Sequence, residues 1–124
     1  MKFIHSSHAP EAIGPYSQAV LVGDTLYVSG QTPINPLTKR VDGTEIKSQT
    51  LQCLQNILAI VEEAGMKKKN IVKCGVFLKN MSMFKEMNEV YNSFFGDHKP
   101  ARVTVEVARL PLDALVEIDC TACK

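Results

Sequence analysis

The sequence predicts an α+β protein: a single mixed sheet with two helices packed on one face, in the order β-β-α-β-α-β-β. Two observations carry that prediction. Two segments place apolar residues at helical spacing, and five short runs place them at alternate positions. The chain has 124 residues, 45% of them hydrophobic, without internal repeat or linker. One domain spanning residues 1–124 follows.

Residues 1–16 read as irregular, with Pro10, Gly14 and Pro15 as breakers. Gln18 to Val22 and Thr25 to Ser29 are two short strands joined by Gly23-Asp24, a two-residue hairpin signal. A long loop runs from Gln31 to Gly43, a length that often carries function. Glu45 to Ala64 is the clearest helix. Leu51, Leu54, Leu58 and Val61 form its stripe, widened by Ile57. Gln49, Gln52, Gln55, Asn56, Glu62 and Glu63 occupy its other side. Thr44 suits the N-cap and Gly65 the position after the last turn. Asn70 to Lys79 is a strand in which Val72, Cys74, Val76 and Leu78 alternate with Ile71, Lys73, Gly75 and Phe77. Ser82 then caps a helix reaching Phe95, with Phe84, Met87, Val90, Tyr91 and Phe94 as its stripe and Gly96 as its end. Arg102 to Arg109 and Leu115 to Ala122 are the last strands. Two helices cover one sheet face only. Ile71, Phe77 and Tyr27 are candidates for the uncovered face, so the open faces are expected to meet in an oligomer.

The formal net charge is +1, which gives no reason to expect a nucleic-acid partner or an acidic membrane surface. Lys67-Lys68-Lys69 reads as a solvated turn. There is neither a long apolar span nor a leader-like apolar region, so a cytoplasmic protein with reduced cysteines is expected. Cys120 and Cys123 form a C-x-x-C, but in a strand positions three apart point to opposite faces. With Cys53 and Cys74 they read as small core residues rather than a redox or metal site. The scattered His5, His8 and His98 do not suggest a metal site either.

The chemistry-bearing residues concentrate in the last two strands. Arg102, Thr104 and Glu106 share one side of their strand, and Val103, Val105 and Val107 the other. A guanidinium fork matches a carboxylate with two hydrogen bonds. By the same alternation Glu117 and Asp119 share a side of the last strand, and Glu117 could position a water. In a simple hairpin Glu117 would face Val107, leaving Arg102 about 16 Å away. Either the strands are not paired, or a second subunit completes the site.

Three segments carry a family resemblance: Gly14-Pro15-Tyr16-Ser17-Gln18-Ala19, Val28-Ser29-Gly30-Gln31, and Pro100-Ala101-Arg102 leading into Val105-Glu106-Val107-Ala108-Arg109-Leu110-Pro111. Their order and spacing resemble the RidA/YjgF family, the reactive-intermediate enamine/imine deaminases. The resemblance implies a chorismate-mutase-like fold and a homotrimer with clefts between subunits. It implies hydrolysis of 2-imino or enamine acids such as 2-iminobutanoate and 2-iminopropanoate to 2-oxo acids and ammonia, without cofactor or metal. It assigns the substrate carboxylate to Arg102 and the attacking water to Glu117, with Tyr16, Gly30 and Asn88 lining the cleft. The chain departs from the family in three places. Thr104 stands at a cleft position where many members have cysteine, Val103 where a small residue is frequent, and Lys99, after a short loop, where an aromatic is frequent. Two other readings stay open: regulatory binding of 2-oxo acids without turnover, and the endoribonuclease or translation-inhibitor role also attributed to the family. The near-neutral charge and the lack of a histidine-centred acid/base pair speak against the last.

Overall fold

The computed structural model describes all of residues 1–124. Its strands are β1 (Lys2–Ile4), β2 (Ala19–Val22), β3 (Thr25–Gln31), β4 (Ile71–Leu78), β5 (Ala101–Glu106) and β6 (Val116–Cys123). Its helices are α1 (Ile46–Glu63) and α2 (Phe84–Phe95). The strands form one sheet in the order β1-β2-β3-β6-β4-β5. β4 and β5 run parallel, and every other pair is antiparallel. Both helices lie on one face. The expected class and element order hold, with β1 added; three residues are too few for periodicity to show.

The Gly23-Asp24 turn closes the β2–β3 hairpin, with Gly23 at φ 58°. Gly65 ends α1 at φ 80°, and the Gly65 and Met66 N–H groups donate back to the Glu62 and Val61 carbonyls. That is the expected glycine cap. At the other end Glu45, not Thr44, takes the N-cap position, with no side-chain bond. Asn80, not Ser82, caps the second helical segment: its Oδ1 accepts from the Ser82 N–H at 2.8 Å and opens a 3₁₀ turn ahead of α2.

Burial turns α1 relative to the expected stripe. Cys53, Leu54, Ile57, Ile60 and Val61 are fully buried, while Leu51 is 41% exposed. Gln49 and Asn56, read as solvent-facing, are buried because both are fully engaged. Gln49 donates to the Gly43 carbonyl and accepts from the Leu115 N–H. Asn56 donates to the Thr32 and Ile34 carbonyls. These two amides pin the Gln31–Gly43 loop and the start of β6 to the helix. Backbone groups in a long loop need such partners.

A bulge between Ile71 and Lys73 shifts the β4 register. Ile71 therefore joins Cys74, Val76 and Leu78 in the core, and Val72 is exposed. The open face keeps Tyr27, 55% exposed, and the half-buried Phe77, but not Ile71.

The last two strands do not form a hairpin. β6 inserts between β3 and β4, and β5 pairs only with β4. Apolar at 116, 118, 120 and 122, β6 suits the centre of the sheet, where those four side chains are buried. β5 follows Pro100, and a strand opened by proline suits an edge. The sides of β5 are also the reverse of a core-forming strand. Val103 and Val105 are exposed on the open face, while Arg102 and Thr104 turn toward α2. The valines form an exposed apolar row on the face away from Arg102.

Candidate active site

Arg102 lies opposite Cys74 across the β4–β5 ladder, and directly opposite residues share a sheet face. That face is the one α2 covers. The Arg102 Nη1 donates to Asn88 Oδ1 at 2.7 Å. The guanidinium carbon sits 4.7 Å from the Tyr91 ring centroid and 5.6 Å from that of Phe84. Residues 84, 88 and 91 recur at three- and four-residue spacing, so one stripe of α2 supplies the whole bed. The aromatic faces attract the cation and the amide fixes its fork. No carboxylate pairs with Arg102: the ion pairs are His5–Glu11, Arg40–Asp42, Lys47–Glu89 and Lys79–Asp113. An oriented, partly buried arginine without an anion is suited to binding one.

Thr104 follows on the same side of β5. Its Oγ1 is buried and has no hydrogen-bond partner, as is the Tyr91 hydroxyl. Glu106, next in the row, is spoken for, accepting from the Met81 N–H at 2.8 Å. Periodicity had marked Tyr91 and Phe84 only as apolar. Their i, i+4 and i, i+3 relation to Asn88 was the available signal.

Glu117 faces the other way. It lies opposite Phe77 on the open face, half-buried, with no hydrogen bond. Burial, and secondarily the negative charge of Asp119, push its carboxyl above the usual range. Asp119 itself accepts from the Gly75 N–H at 2.9 Å. Beside Glu117 the β3 register shifts between Val28 and Gln31, bringing Gly30 against the carboxylate. A Cβ on Gly30 would stand 2.7 Å from Glu117 Oε2. Tyr16 and Gly30 line one hollow, with the loop carrying Tyr16 tied down by Ser29: its hydroxyl donates to the Ser17 carbonyl at 2.6 Å. Gln18 braces the same segment by donating to the Ser6 and Pro10 carbonyls.

The residues singled out from sequence thus form two sets. Arg102, Asn88 and Thr104 lie at the sheet edge on the helix side. Tyr16, Gly30 and Glu117 lie on or beside the open face. Through β4, Arg102 is level with Cys74 and Glu117 with Phe77. The offset is three residues along and two strands across, about 14 Å in the sheet plane and on opposite faces. Of the two possibilities left by the sequence, the strands are indeed not paired. Yet one chain still cannot bring both groups to one small molecule.

This is an α+β sheet protein carrying two sets of candidate site residues, one on each face of the sheet. The family model for endoribonuclease L-PSP matches residues 6–124. A RutC family protein of Pyrococcus horikoshii is 50% identical over 121 residues, 98% of this chain and 96% of that one. The 2-iminobutanoate/2-iminopropanoate deaminase of Escherichia coli is 46% identical over 124 residues, with 98% and 96% covered. The solved structure of the E. coli YjgF gene product superposes with a TM-score of 0.96 at 45% identity, covering 100% of this chain and 99% of that one. E. coli TdcF with bound serine gives 0.96 at 39%, with the same coverage. The chain belongs to the RidA/YjgF family.

Proposed function

We propose that this protein hydrolyses 2-imino and enamine acids, such as 2-iminobutanoate and 2-iminopropanoate, to 2-oxo acids and ammonia. The reaction takes place in clefts between the subunits of a homotrimer. The observation that carries this reading is the pair of half-sites: an anion-free, oriented Arg102 and a hydrogen-bond-free Glu117, on opposite faces of one sheet. Two subunits meeting at the Arg102 edge of one and the open face of the other bring them together. The exposed Tyr27, Val103 and Val105 supply apolar surface for that contact. The deaminase activity of the E. coli relative and the serine held by TdcF are consistent with a cleft for small amino-acid-derived carboxylates.

In this cleft Arg102 fixes the substrate carboxylate through two charge-assisted hydrogen bonds, and Asn88 keeps the guanidinium turned toward it. The neighbouring subunit's Glu117 holds a water against C2. A raised carboxyl pKa makes Glu117 a better proton acceptor than an exposed glutamate. Water adds to C2 as its proton passes to Glu117, which hands that proton on to the imine nitrogen, giving a carbinolamine. Collapse of that intermediate releases ammonia and leaves the 2-oxo acid. Tyr16 closes the cleft wall, and Thr104 lies beside Arg102 with its hydroxyl buried beneath the cleft. Imines already hydrolyse in water, so positioning suffices and no strong nucleophile is required.

The test is a coupled assay with a threonine dehydratase. Faster release of 2-oxobutanoate, lost in Arg102→Ala while the oligomer persists, supports the reading. Full acceleration by Arg102→Ala overturns it. Ligand protection without rate gain marks a binding protein instead.

A further inference from the structure

We propose that the Arg102 cleft of this protein prefers dicarboxylic 2-imino acids, with Lys99 receiving the second carboxylate. The proposal rests on the imine-hydrolase reading above and names its substrate class. Lys99 and Arg102 line the same hollow, together with Asn88, Glu89, Asn92 and His98. That hollow holds two cations that nothing neutralises. Neither Lys99 nor Arg102 belongs to any of the four ion pairs. Its single carboxylate, Glu89, is engaged elsewhere, 2.9 Å from Lys47 Nζ.

Lys99 is exposed, and two acceptors hold its ammonium in place. Its ammonium donates to Asn92 Oδ1 at 3.0 Å and to the Gly96 carbonyl. An ammonium has three N–H donors, so one is left for a ligand. Asn92 comes from α2, the helix that also carries Asn88, and the two amides orient the two cations of the hollow from one helix face.

Two cations on one hollow suit a diacid. Lys99 and Arg102 are three residues apart through Pro100, so their Cα atoms are at most about 10 Å apart. A five-carbon diacid separates its carboxylate carbons by roughly 5 Å. With a charge-assisted contact of about 2.8 Å at each end, one such molecule can meet both head groups, which two long side chains bring into the hollow they line. A monocarboxylic imine fills Arg102 and leaves Lys99 facing its side chain, where a methyl or ethyl group gains nothing from a cation. The lysine stands only three residues before the anchor in the chain.

The experiment compares hydrolysis of 2-iminoglutarate and 2-iminobutanoate, each generated in situ by an amino-acid oxidase and followed by competition with semicarbazide. The wild-type protein is expected to show the higher kcat/KM for 2-iminoglutarate. Lys99→Ala lowers the ratio of the two values about tenfold, and Lys99→Glu lowers it further, chiefly through KM. A ratio unmoved by both substitutions overturns the proposal, as does a wild-type preference for 2-iminobutanoate. Calorimetric titration with 2-oxoglutarate and 2-oxobutanoate separates this failure from failure of the hydrolase reading. If neither imine is accelerated but 2-oxoglutarate binds about tenfold tighter, and Lys99→Ala abolishes that advantage, the diacid site stands and turnover does not. Equal affinity for both oxo acids removes the diacid site.

Discussion

Gly30→Ala should separate stability from activity. The Gly30 backbone is not in the left-handed region, so alanine meets no conformational barrier there. Replacing glycine at a compatible position narrows the unfolded ensemble and is worth roughly 0.4–1 kcal/mol of stability. Against that stands the new methyl group, 2.7 Å from Glu117 Oε2 and 3.0 Å from its Cδ. To reach an ordinary contact of 3.4 Å the carboxylate must retreat by about 0.7 Å. Glu117 has no hydrogen bond holding it, so the retreat costs little, and the two effects leave stability within roughly 1 kcal/mol of the parent. The catalytic effect is larger. A reacting group displaced by about 1 Å can lose on the order of 100-fold in rate, so a displacement of about 0.7 Å predicts a fall of roughly 10- to 100-fold in kcat/KM. Thermal unfolding and the coupled dehydratase assay on the same preparation read the two quantities. Unchanged kcat/KM with unchanged stability would refute the role given to the Gly30–Glu117 contact.

Further expectations follow from the same geometry. Asn88→Ala removes the amide that orients Arg102; a charge-assisted hydrogen bond of about 1.5–3 kcal/mol predicts a roughly 10- to 100-fold loss in kcat/KM, measurable by steady-state kinetics. Tyr91→Phe deletes a buried hydroxyl without a partner and should leave the unfolding free energy within about 1 kcal/mol, whereas Tyr91→Ala empties the bed under Arg102 and costs roughly 3–5 kcal/mol in a denaturant titration. Asn56→Ala frees two part-buried loop carbonyls and should cost roughly 1–3 kcal/mol, with faster amide exchange across residues 32–43. Glu117 has a raised pKa in the folded state, so its protonated form is the one favoured by folding. Its contribution to stability is therefore present at low pH and lost as pH rises through the folded pKa, while activity rises through that same window. Glu117→Gln should remove this acid limb from the pH–rate profile.

Local pattern was enough for the order of every element but the three-residue β1, because helical and strand periodicities follow from the backbone and need no partner. It was enough for Gly23 and Gly65, where the chain must turn with positive φ. It also marked Arg102, Tyr16 and Gly30 through short contiguous motifs and Glu117 through strand alternation, whereas Asn88 came from the family resemblance alone. Where periodicity misled, a long-range contact had intervened. Gln49 and Asn56 are polar by composition yet buried, since their partners lie in the loop and at the start of β6. Ile71 changes face through one bulge in β4.

The tertiary structure alone decided which side of the sheet each site residue occupies. Alternation places Arg102 with Thr104 and Glu117 with Asp119, but it cannot say which row meets the helices. That depends on β6 entering between β3 and β4 and leaving β5 at the edge, a pairing set by hydrogen bonding and burial between segments far apart in the chain. The sequence by itself determined the elements and the chemical groups. The strand order set them on opposite faces, because every side chain on a pleated strand takes its face from the register of its neighbours.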